Sequence, residues 1–202
     1  MNAANTLVLA SGNSGKLKEF NQLLSPLGLD VRPQAEFGVH DVEETGLTFV
    51  ENALLKAREA SRVSGLPALA DDSGLEVDAL HGAPGIYSAR YAGEPKSDER
   101  NNEKLLAALS ECAEGQRTAR YWCVLVYLRH AEDPVPVIVQ RSWEGEVLAH
   151  PRGEGGFGYD PLFWLPDQGM SVAELPSETK NRLSHRGRAL HTLVDILKVA
   201  HG

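Results

Sequence analysis

The sequence predicts an α/β fold, with a mixed β-sheet flanked by helices, in two lobes with the active-site cleft between them. Three observations support this prediction. Apolar strand-like runs alternate with amphipathic helical stripes early in the chain, and strand-like runs cluster in its middle. Polar, glycine-rich stretches follow several of these apolar runs. We therefore expect the functional residues to lie where those stretches meet.

The length and composition are those of one soluble globular domain spanning residues 1–202. The chain has 202 residues, of which 42% are apolar and 24% charged, and this length is sufficient for a good hydrophobic core. The formal net charge of −8 argues against nucleic acid or an anionic membrane as a partner, since both require a basic surface. An anionic substrate would need local lysine and arginine or a divalent cation, which makes a metal more plausible.

The cysteines and the N-terminus indicate a reducing compartment. The sequence contains only Cys112 and Cys123, with no Cys-x-x-Cys pair. A polar stretch over residues 1–6 leads directly into an apolar strand, and no apolar run approaches the length of a membrane span. We expect a cytoplasmic protein.

The first strand, residues 7–10, is followed by a polar loop and a helix. The loop residues are Ser11, Gly12, Asn13, Ser14, Gly15 and Lys16. Free amides at a helix N-terminus and the positive end of the helix dipole together favour an anion, and Lys16 adds a charge. The spacing is too short for a Walker A loop, and Leu17 stands where a metal-binding hydroxyl is required. A plain strand-to-helix turn with a solvated lysine is the alternative.

An acidic loop precedes the second long helix. After a strand near residues 29–32, Glu43 and Glu44 lie just before Thr48 and Glu51, which form a capping-box pattern. The apolar stripe of that helix consists of Val50, Ala53, Leu54 and Ala57. Acidic residues near a helix start are favourable on dipole grounds alone. One of the two glutamates could also supply a magnesium ligand together with Asp72.

The central stretch, residues 66–80, contains adjacent carboxylates. An apolar run over residues 68–70 leads into Asp71 and Asp72, and alternating apolar residues follow Gly74. At a strand end the two carboxylates would point to opposite sides, so one can face a site while the other braces the loop. A solvated turn is the alternative interpretation, because Asp, Ser and Gly are common turn formers.

The remaining elements follow from periodicity and capping. A turn-rich loop covers residues 81–90, and a helix capped by Ser97 or Asp98 continues to residue 109. Strands are predicted over residues 121–128, 135–139 and 143–148, with a hairpin connection at 130–134, a short capped helix at 171–174 and a final helix from residue 184.

Two stretches near the C-terminus suggest ligand contacts. The glycine-dense residues 151–161 contain Phe157 and Tyr159, whose rings could stack on a base, although aromatic residues beside glycines are also common in plain turns. Cationic side chains gather where the last helix starts, against the dipole preference, which favours a ligand-based explanation. They are Lys180, His185, Arg186 and Arg188.

Six ordered motifs resemble the inosine triphosphate pyrophosphatase family, including its bacterial dITP/XTP pyrophosphatase members. The first three are Ser11-Gly12-Asn13-x-x-Lys16, Glu43-Glu44-Thr45-Gly46-x-Thr48-Phe49-x-Glu51-Asn52-Ala53 and Ala70-Asp71-Asp72-Ser73-Gly74-Leu75. The others are Gly82-Ala83-Pro84-Gly85-Ile86-Tyr87-Ser88-Ala89-Arg90-Tyr91, Gly156-Phe157-Gly158-Tyr159-Asp160-Pro161 and Ser184-His185-Arg186-Gly187. The resemblance covers almost the whole chain; Ser11 stands where many members carry Thr, and both keep the hydroxyl.

The resemblance implies a magnesium-dependent homodimer that hydrolyses the nonstandard purine nucleotides ITP, dITP and XTP to the monophosphate and pyrophosphate. It implies that residues 11–16 hold the phosphates, that Asp72 is the general base, and that Glu44 and Asp72 bind Mg²⁺. The residues implied to contact the substrate are Ser73, Phe157, Gly158, Tyr159, Asp160, Lys180, His185 and Arg186. A Maf-type nucleotide pyrophosphatase acting on modified pyrimidine or other nucleotides is the alternative enzyme, and a nucleotide-binding module without hydrolysis is the alternative class.

Overall fold

The computed structural model describes residues 5–113 and 115–200. The strands are β1 (Thr6–Ala10), β2 (Asp30–Pro33), β3 (Ala68–Val77), β4 (Thr118–Leu128), β5 (Val137–Val147), β6 (Phe163–Leu165) and β7 (Met170–Ser171). The α-helices are α1 (Ser14–Leu24), α2 (Phe49–Ser64), α3 (Asp98–Ala108), α4 (Ser177–Leu183) and α5 (His185–Ala200). Within the described part of the chain, no helix is long and apolar enough to cross a membrane.

The strands form one mixed sheet in the order β2-β1-β3-β4-β5-β6-β7. Strand β1 pairs in parallel with both β2 and β3, whereas β6 pairs antiparallel with β5 and β7. Parallel neighbours require a crossover connection, and helices α1 and α2 lie in the two crossovers that join β1 to β2 and β2 to β3. The prediction of an α/β fold with a mixed sheet flanked by helices is confirmed.

The chain divides into two compact units. The first unit consists of Met1–Asp72, Cys123–Arg141 and Arg186–Gly202, and the second of Ser73–Trp122 and Ser142–His185. The expectations of two lobes around a cleft and of a single domain over residues 1–202 stay predictions.

The first unit buries side chains on both faces of its strands. Successive residues of β1 alternate between the faces, as the pleat of a strand requires. Leu7 and Leu9 pack with Phe20 of α1 and with Leu190 and Leu193 of α5. On the opposite face, Val8 and Ala10 pack with the alanines of α2, which are Ala53, Ala57 and Ala60. The small alanine side chains allow α2 to lie close to the sheet.

The second unit has an aromatic core. Tyr121 of β4 and Phe163 of β6 have ring centroids 4.6 Å apart, and Trp143 of β5 packs against Phe163 at 6.0 Å. The sequence predicts Leu105, Leu106 and Leu109 as the buried side of α3; Leu105 and Leu109 are fully buried in the same cluster, and Leu106 is partly buried against it. The capping residue of α3 is Ser97, whose side chain accepts a hydrogen bond from Arg100 N, so the predicted start of this helix is confirmed.

Two local predictions need correction, and one alternative is excluded. The alternative of a solvated turn at Asp71 to Gly74 is excluded, because these residues continue strand β3 and both carboxylates are buried. The strands predicted at residues 135–139 and 143–148 are one strand, β5, whose intervening Gln140 and Arg141 are exposed. Residues Val172–Glu174 form a 3₁₀ turn with a capping box and not an α-helix. Strands β6 and β7 and helix α4 are too short to produce a periodic signal.

Candidate active site

The loop between β1 and α1 is organised by its own side chains. Asn13 is the N-cap of α1, and its Oδ1 accepts a hydrogen bond from Lys16 N at 3.0 Å. Ser11 Oγ accepts from Asn13 N at 3.2 Å. These local bonds fix the start of α1. Gly12 lies in the loop before the N-cap, and Ser14 and Gly15 are the first two residues of the helix.

Lys16 and Arg186 hold the two carboxylate oxygens of Asp71. Lys16 Nζ lies 2.8 Å from Oδ1 and Arg186 Nε lies 2.5 Å from Oδ2. The guanidinium of Arg186 also pairs with Glu19 of α1. Burial raises the pKa of the Asp71 carboxyl, but the charges of Arg186 and Lys16 outweigh burial and hold the pKa well below its ordinary value. Asp71 is therefore a structural anion that orients cations.

Asp72 faces the opposite side of β3, as strand geometry predicts, and meets Lys56 of α2. Lys56 Nζ lies 2.6 Å from Asp72 Oδ1 and 3.0 Å from Glu44 Oε1, and it donates to the backbone carbonyl of Asp71 at 3.1 Å. Burial raises the pKa of Asp72 against the opposing charges of Lys56 and Lys16. Burial disfavours the charge of Lys56, but Asp72 and Glu44 outweigh it and raise the pKa of that ammonium. One cation thus joins two carboxylates from separate segments.

Helix α2 fixes the loop that carries Glu44. The amide of Asn52 is fully buried, accepts a hydrogen bond from Gly46 N at 2.8 Å, and donates to Gly46 O at 3.4 Å. Thr48 and Glu51 form the predicted capping box. A Cβ atom at Gly46 would lie 2.5 Å from Glu51 Cβ, so only glycine allows the loop to pass so close to the helix. Glu44 reaches Lys56 from this loop, whereas Glu43 is exposed.

The residues predicted to hold Mg²⁺ fit that ion. In the structure the ammonium of Lys56 lies between the carboxylates of Glu44 and Asp72, which shows that both oxygens can share one cation. Magnesium commonly takes one or two carboxylates and completes its shell with water and substrate phosphates. Within residues 5–113 and 115–200, no three His, Cys, Asp or Glu side chains gather into a group that could hold a metal ion.

The second unit presents Phe157 beside a buried ion pair. Lys180 Nζ lies 2.8 Å from Asp160 Oδ2 and 4.4 Å from the centroid of the Phe157 ring. Asp160 Oδ2 also accepts a hydrogen bond from Phe157 N at 2.9 Å. A Cβ atom at Gly156, whose φ is +77°, would lie 2.1 Å from that same oxygen, so a side chain there would displace Asp160. The loop is built around the carboxylate of Asp160.

The other predicted contact residues of the second unit are largely packed. His185 stacks on Tyr121 with ring centroids 4.7 Å apart and an interplanar angle of 9°. Tyr159 is 4% exposed and its hydroxyl donates to Ser88 O at 2.7 Å, so its ring is part of the core. Ser73 is half-buried in β3. Their contacts with substrate, together with those of Gly158 and Arg186, stay predictions.

Sequence reasoning missed Lys56, Glu19 and the cation-orienting role of Asp71. Lys56 lies at the same helical spacing as Ala53, Ala57 and Ala60, on the apolar stripe where a solvated lysine is not expected. That position is a signal that could have identified it. Glu19 directly precedes the buried Phe20 on α1 and is itself buried, but its partner Arg186 lies too far along the chain for any local pattern to connect them.

Carboxylates of the chain itself pair with two of the cations for which the sequence favours a ligand-based explanation. Lys180 pairs with Asp160, and Arg186 pairs with Asp71 and Glu19. Burying an arginine or lysine is unfavourable unless a carboxylate compensates the charge. These pairs are sufficient to explain why Arg186 is buried at the start of α5, against the dipole preference. Lys180 lies in the last turn of α4, where that preference favours a cation.

Comparison with known proteins agrees with this geometry. The family model of the Ham1 family matches residues 7–196. The dITP/XTP pyrophosphatase of Shigella flexneri is 58% identical over 192 residues, covering 95% of this chain and 98% of the relative. The dITP/XTP pyrophosphatase of Nitrosomonas europaea is 58% identical over 193 residues, covering 96% of this chain and 94% of the relative.

Solved structures agree as well. A HAM1 protein from Coxiella burnetii superposes with a TM-score of 0.88 at 49% identity, covering 96% of this chain and 98% of that one. The Staphylococcus aureus Ham1 protein superposes with a TM-score of 0.84 at 42% identity, covering 96% and 99%. The resemblance seen in the six motifs is confirmed, and the chain belongs to the Ham1 family.

Proposed function

We propose that this protein hydrolyses the nonstandard purine nucleoside triphosphates ITP, dITP and XTP to the nucleoside monophosphate and pyrophosphate. Such an enzyme removes these nucleotides from the pool before they are incorporated into DNA or RNA. The observation that carries the proposal is the pair of carboxylates, Asp72 and Glu44, held on one cation beside Lys16. Relatives with 58% identity that are named dITP/XTP pyrophosphatases support the substrate class.

Asp72 accepts the proton of the water that attacks the α-phosphorus in line. Its carboxylate is buried yet reached by a lysine, which is the setting of a general base that must stay shielded from bulk water. Lys16 and the amides at the start of α1 hold the pyrophosphate leaving group. Lys16 is already oriented by Asp71, so little reorganisation is needed when the phosphates bind.

Glu44 and Asp72 would hold Mg²⁺. When bound, the ion supplies positive charge that neutralises phosphate oxygens. Asp71 stays occupied by Lys16 and Arg186, so its carboxylate serves the site by orienting Lys16.

The nucleobase stacks on the Phe157 ring, whose position depends on Asp160 and Lys180. Hypoxanthine and xanthine carry a keto oxygen where adenine carries an amino group. A hydrogen-bond donor such as His185 can pair with the keto oxygen, but it meets a second donor in the amino group. A buried donor left unpaired makes that rejection strong. Guanine shares the keto oxygen, so its exclusion depends on its 2-amino group.

A homodimer and a cytoplasmic location, both implied by the sequence analysis, are part of the proposal. Sedimentation equilibrium tests the first, because a dimer has twice the mass of the 21.9 kDa chain. The relatives described above give no support to a Maf-type enzyme.

The test is pyrophosphate release from ITP, XTP, dATP, dGTP and dTTP under identical conditions. We expect fast release from ITP and XTP and slow release from the three others. Release from dTTP instead would contradict the proposal in favour of a pyrimidine-specific enzyme. Tight binding of ITP without release would identify a nucleotide-binding module.

A further inference from the structure

Helix α3 holds both polar backbone groups of Gly158, the residue between Phe157 and Tyr159. Asp98 Oδ2 accepts a hydrogen bond from Gly158 N at 2.7 Å, and Asn102 Nδ2 donates to Gly158 O at 2.9 Å. Asp98 and Asn102 are four residues apart on α3, a spacing that places both side chains on one helix face. The two bonds form a clamp on a single residue of the loop from Gly156 to Pro161, the aromatic loop.

The same helix restrains Tyr159 through a second contact. Asn101 Nδ2 donates to Ala89 O at 3.2 Å and its Oδ1 accepts from Ala92 N at 2.7 Å. The hydroxyl of Tyr159 donates to Ser88 O, in the same 3₁₀ turn, Gly85–Arg90. The turn-rich motif over residues 82–91, to which the proposed chemistry assigns no role, therefore ties α3 to the aromatic loop.

The amide of Asn102 uses one of its two polar atoms for the bond to Gly158 O. Its Oδ1 atom is buried and accepts no hydrogen bond from any residue that the structure describes. A buried unpaired oxygen is unfavourable, so an apolar side chain of similar size would be expected to fit this position at least as well. The bond to Gly158 O is therefore the contact for which an amide is needed at this position.

We propose that Asp98 and Asn102 are positioning residues that hold the Phe157 ring in place for the nucleobase. The inference rests on the proposed function. Gly156 and Gly158 both have positive φ, +77° and +63°, and glycine gives the loop conformational freedom that must be lost when a base stacks. A clamp that removes this freedom before binding increases affinity for the base. Stacking is equal in the ground and transition states, so KM should change and kcat should not.

The first test compares Asp98→Ala with Glu99→Ala. Both remove an acidic side chain from the first turn of α3, but only Asp98 contacts Gly158. We expect Asp98→Ala to raise KM for ITP about three- to tenfold, with kcat within about twofold of wild type. Glu99→Ala should keep both constants, and Asp98→Asn, which retains an acceptor oxygen, should restore most of the lost affinity.

The second test uses Asn102→Leu, which removes the bond to Gly158 O and the unpaired oxygen together. We expect its melting temperature to stay within about 3 °C of wild type, while KM for ITP rises by about the same factor as for Asp98→Ala. Hydrogen exchange provides a readout without catalysis: the Gly158 amide should exchange faster in Asp98→Ala than in Glu99→Ala.

The outcomes separate this inference from the proposed function. A wild-type protein that releases no pyrophosphate from ITP overturns the proposed function and this role with it. If wild type is active but Asp98→Ala and Asn102→Leu keep its KM, or lose kcat alone, the positioning role is wrong and the proposed function stands. Faster hydrogen exchange at the Gly158 amide with an unchanged KM would likewise overturn the positioning role.

Discussion

Asp71 and Asp72 are neighbours in sequence, but their carboxylates have different cationic partners and opposite pKa shifts. The pleat of β3 directs them to opposite faces, so that Asp71 meets Lys16 and Arg186 while Asp72 meets Lys56. The pKa of Asp71 is held low by its two cationic partners, and that of Asp72 is raised by burial. Asp72 shares Lys56 with the carboxylate of Glu44, whereas Asp71 shares Arg186 with that of Glu19.

Asp72→Asn should lower kcat for ITP by about 10²- to 10⁴-fold, because the amide cannot accept the proton of the attacking water. The amide oxygen can still accept from Lys56, so the fold should survive, as thermal denaturation will show. Asp71→Asn should lower the melting temperature more, because it removes the buried carboxylate that pairs with both Lys16 and Arg186 and leaves Arg186 with that of Glu19. Near-wild-type turnover by Asp72→Asn would contradict the proposed mechanism.

Lys16→Ala should weaken the binding of the triphosphate by roughly 1.5 to 3 kcal/mol, the value of a charge-assisted hydrogen bond. The measurement is the KM for ITP, with Lys18→Ala as the control, because Lys18 is an exposed lysine on the same helix. Equal effects of the two substitutions would mean that Lys16 acts only through the general charge of α1.

At the scale of elements, helix caps and turns fix the positions of the segments that carry or support the site residues. Helix α2 begins directly after the loop that carries Glu44, and its capping box satisfies backbone amides that the helix leaves unpaired. The connection from β4 to β5 is likewise organised by one side chain, that of Asp133. The contribution of each feature to stability can be measured without an activity assay.

Thr48→Ala should destabilise the protein by about 1 kcal/mol, because Thr48 Oγ1 accepts from Glu51 N at the start of α2. For a protein of this size the melting temperature should fall by about 2 to 4 °C. Thr192→Ala, in the interior of α5, is the control and should be neutral or slightly stabilising. An unchanged melting temperature in Thr48→Ala would show that the cap contributes nothing.

Asp133→Asn should destabilise the protein in a pH-dependent way. Asp133 is 1% exposed and accepts from the Arg129 guanidinium and from the amides of Arg129 and Val135, and the bonds from Arg129 lower its pKa. A lowered folded-state pKa stabilises the protein above the unfolded-state pKa, and this stabilisation is lost as pH falls toward the folded-state value.

The difference in melting temperature between wild type and Asp133→Asn should therefore be largest near neutral pH and shrink below about pH 4. Thermal denaturation across this range measures it. Glu132→Gln, at the exposed neighbouring position, should show no such trend. A constant difference at all pH values would assign the effect to the shape of the turn and not to its charge.

At the scale of the whole molecule, the negative net charge opposes the binding of an anionic substrate. The net charge is −8, and the proposed substrate is itself a polyanion. The first unit offsets this locally by gathering Lys16, Lys56 and Arg186 around its carboxylates. Those carboxylates already neutralise the cations, so phosphate binding calls for additional positive charge.

Chelation should therefore abolish turnover. We expect pyrophosphate release from ITP to stop in excess EDTA and to return fully when magnesium is added beyond the chelator. Binding of IMP, measured by calorimetry, should be much less affected, because the base contacts lie on Phe157 and its neighbours. Undiminished turnover in EDTA would show that lysine and arginine alone neutralise the phosphates.

Much of the architecture follows from local pattern. Apolar periodicity predicted β1, α1, α2, α3 and α5, and the caps at Thr48 and Ser97 lie where the sequence places them. The six motifs identified the family without any structure. These features are local because periodicity and capping depend on residues a few positions apart.

What the sequence by itself determined is therefore the fold class, the family and the segments that carry the chemistry. The tertiary structure alone decided that Lys56 joins Glu44 to Asp72, that Arg186 binds Asp71 and Glu19, and that α3 holds Gly158. The partners in these contacts lie between 12 and 167 residues apart. Only the path of the chain through the sheet brings such groups together, and no local pattern encodes that path.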